Sequence, residues 1–292
     1  MNKQGELDSL QVTVVAEDSV LYESPFLGQH GISLFLQARC GEVTRNVLVD
    51  VAQNPEALLE NMRLLQIQPE SIDTIVITHC HYDHTQGLVR ILSRMQKSDV
   101  PVVVHPELFR LNFVDAPFLR HVGVMQGDAR AGIAAAGGRL FECRQPLQLL
   151  PGLSTSGEIE RKTDFEEVGM ALKTIAEGNI VEDTMPDDLS LFARIGGKGT
   201  VILTGCSHAG VVNICRQCRK MTEQRAIEAL IGGFHLVEAS AERIGKTVAA
   251  LEQLEIGSVL AGHCTGFPAQ VELSRVFGDR FTPLRTGMRI EF

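Results

Sequence analysis

The sequence contains one short stretch in which most side chains can bind a metal ion. It reads H-x-H-x-D-H from His79 to His84 and follows an apolar run over residues 74–78. Imidazole nitrogen and carboxylate oxygen are ligands that zinc, iron and manganese accept. The general polarity of a loop does not explain this order of ligand types. The stretch therefore predicts a metal site at the end of a short buried strand.

The spacing within this stretch predicts two ions rather than one. His79 and His81 stand two residues apart, so both side chains can reach one ion. Asp83 and His84 lie just past the turn and point toward a second. Leucine, isoleucine and methionine follow at helical spacing between residues 88 and 95, which places the stretch on a strand-to-helix loop.

Three further histidines also follow apolar runs that are predicted strands. His208 comes after the strand 200–203, His235 after 226–232 and His263 after 258–261. With His79, four predicted strand ends thus carry histidines. Such side chains meet when the strands end at one edge of a sheet, so these histidines are candidates for a single site.

The rest of the chain predicts a mixed α/β fold. A helix begins at Asn54-Pro55, since asparagine caps helices and proline suits the first turn. Further helices are predicted over about 86–97 and 240–254, with strands between them. Residues 106–190 are the least regular part, and we expect them to cover the site. We treat residues 1–292 as a single domain.

Composition limits the classes of partner. The formal net charge is −9 at pH 7, and no run is rich in lysine or arginine. Because nucleic-acid binding depends on basic surface, no nucleic-acid partner is expected. No apolar stretch has the length of a membrane span, so no membrane partner is expected either. A small molecule is the expected substrate, and the oligomeric state stays open.

The cysteines and the N-terminus indicate the compartment. Seven cysteines, an odd number without a regular framework, are typical of a reducing cytosol. Residues 1–8 lack the apolar core of an export signal. We therefore expect a cytoplasmic protein.

Several motifs together resemble one superfamily. Besides the H-x-H-x-D-H stretch, they are Thr204–Gly210, Gly232–His235, Gly262–Gly266 and His30-Gly31-Ile32-Ser33. They resemble the metallo-β-lactamase superfamily, in the branch that contains the dihydropterin ribofuranosyl-aminobenzene phosphate synthase. The resemblance covers about residues 10–292. It implies a four-layer αβ/βα sandwich of the metallo-β-lactamase type.

The resemblance also implies a pair of divalent metal ions. Zinc is the expected metal, with manganese or iron as alternatives. The first ion is assigned to His79, His81 and His208. The second is assigned to Asp83, His84 and His263.

Four other positions are left with alternative roles. In the superfamily an aspartate usually bridges the two metals, and Cys206 stands at that position in this chain. Cys206 either bridges as a thiolate or is a small buried residue while His208 supplies the ligand. We favour the second alternative. Asp187 is an alternate ligand, although capping a turn is its more ordinary role. Asp50 is at least as well suited to capping, or to supporting the histidine loop, as to a metal contact. His30 lies in the pocket or packs a loop, with neither preferred.

The expected chemistry is hydrolysis by a binuclear centre. A water between two metals would ionise near neutral pH and give a hydroxide nucleophile. Asp83 would orient it, and His235 would donate a proton or contact the substrate, unless that histidine is structural. His81 stands where a glutamate would favour di-iron redox chemistry. Arg161 or Lys162 could meet an anionic substrate, although solvated charges are more common.

Three functions compete on this basis. The first is a metal-dependent hydrolase that uses a metal-bound hydroxide on a small anionic metabolite. The alternative is a metal-dependent, pterin-condensing transferase like the synthase of that branch, in which the metals activate a leaving group. The third is a sensor or scaffold that binds metal without turnover. Hydrolysis of β-lactams is disfavoured.

Overall fold

The computed structural model describes residues 5–292, which form eighteen strands and seven α-helices. The strands are β1 (Ser9–Ala16), β2 (Ser33–Cys40), β3 (Val43–Val49), β4 (Thr74–Val76), β5 (Val100–Val104), β6 (Phe113–Val114), β7 (Arg120–His121), β8 (Gly138–Glu142), β9 (Gln148–Leu150), β10 (Leu153–Thr155), β11 (Lys173–Ala176), β12 (Asn179–Glu182), β13 (Ser190–Ile195), β14 (Gly199–Thr204), β15 (Ile227–Gly233), β16 (Ser258–Gly262), β17 (Phe281–Pro283) and β18 (Arg289–Glu291). The helices are α1 (Pro55–Leu65), α2 (Tyr82–Thr85), α3 (Leu88–Met95), α4 (Arg130–Ala135), α5 (Val211–Thr222), α6 (Ala241–Gln253) and α7 (Phe267–Phe277). The prediction of no export signal rests partly on residues 1–4, which lie outside the described residues.

Two seven-stranded sheets form the centre of the molecule. The first has the order β18-β1-β2-β3-β4-β5-β8, and the second has the order β17-β16-β15-β14-β13-β10-β9. Aliphatic side chains from both sheets form one buried cluster, to which β3 contributes Val47 and Val49. Leu48 between them points the other way, into a cluster with α1 and α3. Since successive strand residues face opposite sides, both faces of the first sheet are buried.

Helices cover the outer face of each sheet. The helix α1 buries Leu58 and Met62 against the first sheet. The helices α5, α6 and α7 cover the second sheet, with Val248 and Leu273 in its outer core. Full burial of each such side chain contributes about 1.5–3 kcal/mol. The layers thus run helix, sheet, sheet, helix, which confirms the predicted four-layer αβ/βα sandwich.

The predicted start of α1 is confirmed in detail. Asn54 accepts hydrogen bonds from the backbone N–H groups of Glu56 (3.0 Å) and Ala57 (3.3 Å), and Pro55 occupies the first turn. A side-chain oxygen at this position satisfies N–H groups that have no partner within the helix.

No helix within residues 5–292 is both long enough and apolar enough to cross a bilayer.

Residues 106–190 contain more regular structure than the sequence indicates. They supply β8 to the first sheet, β9 and β10 to the second, and a separate four-stranded sheet of order β12-β11-β6-β7. The strand β8 pairs in parallel with β5, where Leu140 lies opposite Val102. Three of its five residues are exposed, so the strand lacks the apolar alternation by which sequence patterns reveal strands.

The topology brings the histidine-bearing loops to one place. The strands β14, β15 and β16 are parallel neighbours, so their carboxyl ends share one edge of the second sheet. In the first sheet β3 and β4 are also parallel. The two edges meet at Gly205, where a Cβ atom would lie 2.2 Å from Thr78 Oγ1 and 3.1 Å from an Asp50 carboxylate oxygen. Only glycine permits this approach.

Substitution of Gly31 tests how tightly this region is packed. Gly31 has φ +108°, and a Cβ there would lie 2.0 Å from the carbonyl oxygen of Asp83. Gly41, in the β2–β3 turn, has φ +60° with no atom within 4 Å of its Cβ position. We expect Gly41→Ala to lower the free energy of unfolding by about 1–2 kcal/mol through backbone conformation alone. Gly31→Ala should lower it by roughly 3 kcal/mol or more, because a steric clash is added.

Urea denaturation of both variants makes the comparison. Equal losses of stability in the two variants would show that Asp83 moves away freely from residue 31, contrary to the packing described.

Candidate metal site

Three buried imidazoles form the first donor group, which consists of His79, His81 and His208. The Nδ1 atom of His81 lies 3.1 Å from Nε2 of His79 and 3.2 Å from Nε2 of His208. The rings are at most 5% exposed. The loops after β4 and β14 therefore bring together residues that are 127 positions apart in the chain.

The second donor group consists of Asp83, His84 and His263. The Asp83 Oδ2 atom lies 3.4 Å from Nε2 of His84 and 3.2 Å from Nε2 of His263. The His30 ring approaches the same carboxylate, with Nε2 at 3.4 Å. The six residues assigned to metals from the sequence thus lie together in the structure, and their role as ligands stays a prediction.

Cys206 belongs to both donor groups. Its sulfur lies 3.1 Å from Nε2 of His84. The sulfur lies within 4.8 Å of donor atoms of His79 and His208. It also lies within 4.8 Å of donor atoms of Asp83, His84 and His263. From the sequence, Cys206 either bridges as a thiolate or is a small buried residue while His208 supplies the ligand, and the second alternative is preferred. In the structure both residues face the donor atoms.

Outer hydrogen bonds fix the orientation of four of these rings. Each of the four donates from Nδ1 to an oxygen, which leaves Nε2 as the nitrogen directed at the donor groups. The acceptors are Thr78 Oγ1 for His79 (3.0 Å), Asp50 for His84 (2.6 Å), the Val168 carbonyl for His208 (3.3 Å) and Asp18 for His263 (2.6 Å). This tautomer is the one that a metal ligand requires.

Asp50 supports the site without belonging to either donor group. Besides the His84 ring, it accepts hydrogen bonds from the Thr78 backbone N–H and the Thr78 hydroxyl, both at 2.7 Å. Its side chain is fully buried. Of the roles considered for Asp50, the structure shows support of the histidine loop.

The electrostatics of the first group favour neutral rings. Burial, reinforced by the neighbouring imidazoles, lowers the pKa of His79 and of His208 well below the usual value. Burial also lowers the pKa of His81 to about 3, although Asp83 opposes this. Neutral imidazoles can donate their lone pairs to a cation.

The second group carries an ionised carboxylate. Burial opposes ionisation, but His84 and His263 hold the pKa of Asp83 well below its usual value. Burial likewise opposes protonation of His84, yet Asp83 and Asp50 raise the pKa of His84 to about 9. Imidazoles, a carboxylate and a thiol gathered in a buried pocket are the donor set of divalent transition-metal ions, so these residues fit such ions.

His235 lies beside the donor groups rather than within them. It follows β15, its ring centroid lies 4.2 Å from that of His208, and it is 6% exposed. Neither ring nitrogen has a hydrogen-bond partner within residues 5–292. Its donor atoms cluster instead with the sulfurs of Cys206 and Cys264.

Two candidates from the sequence have structural roles instead. Asp187 accepts a hydrogen bond from the Cys80 backbone N–H (2.7 Å) and pairs with Arg110 (2.8 Å), so it supports the histidine loop and is not placed to bind metal. Arg161 donates to the carbonyl oxygen of His208 (2.8 Å) and so holds the first donor group in place.

The expectation that Arg161 or Lys162 meets the substrate is not supported by these contacts. Lys162 forms an exposed ion pair with Glu160 at 2.7 Å. Neither residue lines the cavity over the donor groups.

A cavity of about 310 Å³, here named the central cavity, opens over the second donor group. It is lined by Asp18, His30, His81, Tyr82, Asp83, Arg120, Val122, Met170, Cys206, His235, Val237, Glu238, His263 and Cys264. His30 is thus a cavity residue. Residues 106–190 supply three of these lining residues, Arg120, Val122 and Met170.

Sequence reasoning missed Asp18 and Arg120. Asp18 bonds both His30 (3.0 Å) and His263 (2.6 Å). It lies two residues after β1 (Ser9–Ala16), so the strand-end argument applied to the histidines could have found it. Arg120 lies in the two-residue strand β7, and no pattern in the sequence marks it.

Known proteins resemble this chain in sequence along most of its length. Residues 45–137 match the sequence profile of the β-lactamase superfamily domain. The chain is 36% identical over 291 residues to the 7,8-dihydropterin-6-methyl-4-(beta-D-ribofuranosyl)-aminobenzene-5'-phosphate synthase of Methanocaldococcus jannaschii. That alignment covers 99% of this chain and 98% of the relative.

Solved structures show the same fold. Tm1679, a metal-dependent hydrolase of the β-lactamase superfamily, aligns over 97% of this chain and 99% of its own with a TM-score of 0.79 and 24% identity. The metallo-β-lactamase fold protein YhfI from Bacillus subtilis aligns over 98% and 100% with a TM-score of 0.56 and 16% identity. With a relative at 36% identity along its whole length, the chain belongs to the metallo-β-lactamase superfamily, in the branch of the dihydropterin ribofuranosyl-aminobenzene phosphate synthase.

Proposed function

We propose that the chain is a metal-dependent transferase that joins the 6-methyl carbon of a reduced pterin to an arylamine nitrogen. The full-length relationship at 36% identity carries this proposal, because the relative's name describes a synthase whose product unites these two parts. The sequence alone favoured hydrolysis. The solved structure of a hydrolase is only 24% identical, so it supports the fold and not that reaction.

We assign a divalent ion, zinc in the first instance, to each donor group. His79, His81 and His208 would hold one ion, and Asp83, His84 and His263 the other. Cys206 would contact both, since its sulfur faces both groups. When bound, the ions supply positive charge that favours departure of an anionic leaving group.

The proposed reaction is a substitution at carbon. The bond between the pterin methylene and a phosphate or diphosphate oxygen breaks, and the electron pair stays on that oxygen. A carbon–nitrogen bond forms with the arylamine, which releases one proton. His235 is placed to accept that proton, because it lines the central cavity and its buried ring nitrogens have no partner within residues 5–292.

The central cavity offers contacts that such substrates need. Tyr82, Val122 and Val237 present apolar surface to an aromatic ring. Arg120 adds a cation, which suits the 5'-phosphate of a ribosylated arylamine. These contacts support the proposal of an aromatic, anionic acceptor beside the donor groups.

Loss of His81 should empty the first metal position. Its Nδ1 atom contacts both other nitrogens of that group, so His81→Ala removes the central donor. We expect its affinity for the first ion to fall by more than the roughly 10- to 100-fold that loss of an outer hydrogen bond costs. Metal content by mass spectrometry and chelator competition measures this.

The matched control is His121→Ala, which removes an exposed histidine bonded to the Val124 carbonyl. It should retain the metal content of the parent protein. Retention of two tightly held ions by His81→Ala would refute the assignment of the first donor group.

A turnover assay separates the three candidate functions. The metal-loaded chain, given a 6-methylene-diphosphate ester of dihydropterin and 4-ribofuranosyl-aminobenzene 5'-phosphate, should form the carbon–nitrogen product and release diphosphate. A chelator should abolish the reaction, and His235→Gln should slow it by about 100-fold or more.

Mass spectrometry of the products identifies the reaction. Release of hydroxymethyl-dihydropterin without amine incorporation, at saturating arylamine, would contradict the transferase and support the hydrolase. Absence of any turnover with tightly bound metal would support the sensor or scaffold instead.

A further inference from the structure

A second cavity adjoins the central cavity. This side cavity has a volume of about 400 Å³ and lies between residues 164–170 and the start of α6. Met170, His235 and Glu238 line both cavities. A ligand in the side cavity would therefore contact the same imidazole that lies against His208.

The His235 ring indicates that a ligand belongs there. Both of its nitrogens are buried and without a hydrogen-bond partner within residues 5–292, although the residue is only 6% exposed. A buried polar group without a partner is costly, and proteins rarely retain one without a functional reason. A molecule that reaches His235 from the side cavity would supply the missing partner.

The charge of the side cavity favours a ligand that donates hydrogen bonds. Its acidic residues are Asp164, Glu167, Glu238 and Glu242, and its basic residues are Arg243 and Lys246. Lys246 already pairs with Glu242 at 2.7 Å. Arg243 donates to the carbonyl oxygen of Glu167 at 2.8 Å. The cavity therefore repels anions and attracts N–H groups.

Glu238 is the acidic residue best placed to take a ligand. It stands three positions after His235 and lines both cavities. No hydrogen bond or ion pair reaches its carboxylate from residues 5–292. The half-buried side chains of Phe165 and Met170 add apolar surface on the same cavity wall. A flat, donor-rich heterocycle matches this combination.

We infer that the side cavity is the subsite for the pterin ring, with Glu238 accepting the hydrogen bonds of its aminopyrimidinone edge. This inference rests on the proposed transferase function. The 2-amino group and the N3–H of a pterin are two parallel donors, the arrangement that a carboxylate accepts in a bidentate manner. The arylamine's phosphate would be excluded from this acidic cavity and would lie near Arg120 in the central cavity. The methylene carbon would then lie between the two, beside His235.

Binding of an unreactive pterin tests the subsite without requiring turnover. The probe is 6-hydroxymethyl-7,8-dihydropterin, and its comparison ligand is the 2-oxo analogue, which lacks the amino donor. Calorimetry on the metal-loaded full chain gives both dissociation constants. The parent protein should bind the pterin about tenfold or more tightly than the 2-oxo analogue, as expected for a hydrogen bond to a charged group.

Variants assign this preference to one carboxylate. Glu238→Gln should weaken pterin binding about tenfold or more and abolish the preference over the 2-oxo analogue. Glu238 is exposed, so the substitution leaves the core intact. The control Glu60→Gln alters a surface glutamate paired with Arg63 and should keep both constants.

The outcomes separate this inference from the proposed function. Transfer activity with equal pterin affinity in the parent and Glu238→Gln would overturn the subsite alone. Pterin binding that depends on Glu238, without any carbon–nitrogen product, would support the subsite and overturn the transferase. Absence of both binding and product would overturn both.

Discussion

One buried carboxylate holds the two halves of the site together. Asp50 accepts hydrogen bonds from the Thr78 backbone, the Thr78 hydroxyl and the His84 ring. Thr78 in turn accepts a hydrogen bond from His79, so one residue orients a histidine in each donor group. A charged group can stay buried only when it is bonded in this way. The geometry of both groups therefore depends on the exit of β3, where Asp50 stands.

The backbone around the site carries strain at several strand exits. Asp50, Ser207, His235 and His263 all have φ between 44° and 61°, a region that non-glycine residues seldom occupy. Each such residue costs on the order of 1–3 kcal/mol and persists only when its surroundings fix it. Those surroundings are visible: Glu17 accepts the backbone N–H of His263, and the Ser207 hydroxyl donates to the Gly233 carbonyl at 2.7 Å. Strain at these strand exits therefore coincides with residues that lie within or beside the donor groups.

The sequence predicts the parts of the site that follow from strand ends and ligand spacing. Fold class and the grouping of the six assigned donors needed only local patterns and the resemblance. The position of Asp18 after a strand could have marked it as a candidate, but its pairing with His263, 245 positions away, is visible only in the fold. Arg120 lies in a region whose exposed short strands lack apolar alternation. The role of Cys206 was ambiguous because only the fold shows that its sulfur faces both groups.

Anomalous diffraction from crystals of the zinc-loaded chain, recorded on both sides of the zinc absorption edge, tests the central claim most directly. The account predicts two peaks, one among His79, His81 and His208 and the other beside Asp83. The Cys206 sulfur should contact both. Peaks found only elsewhere, or imidazole rings turned away from one another with no peak between them, would contradict it.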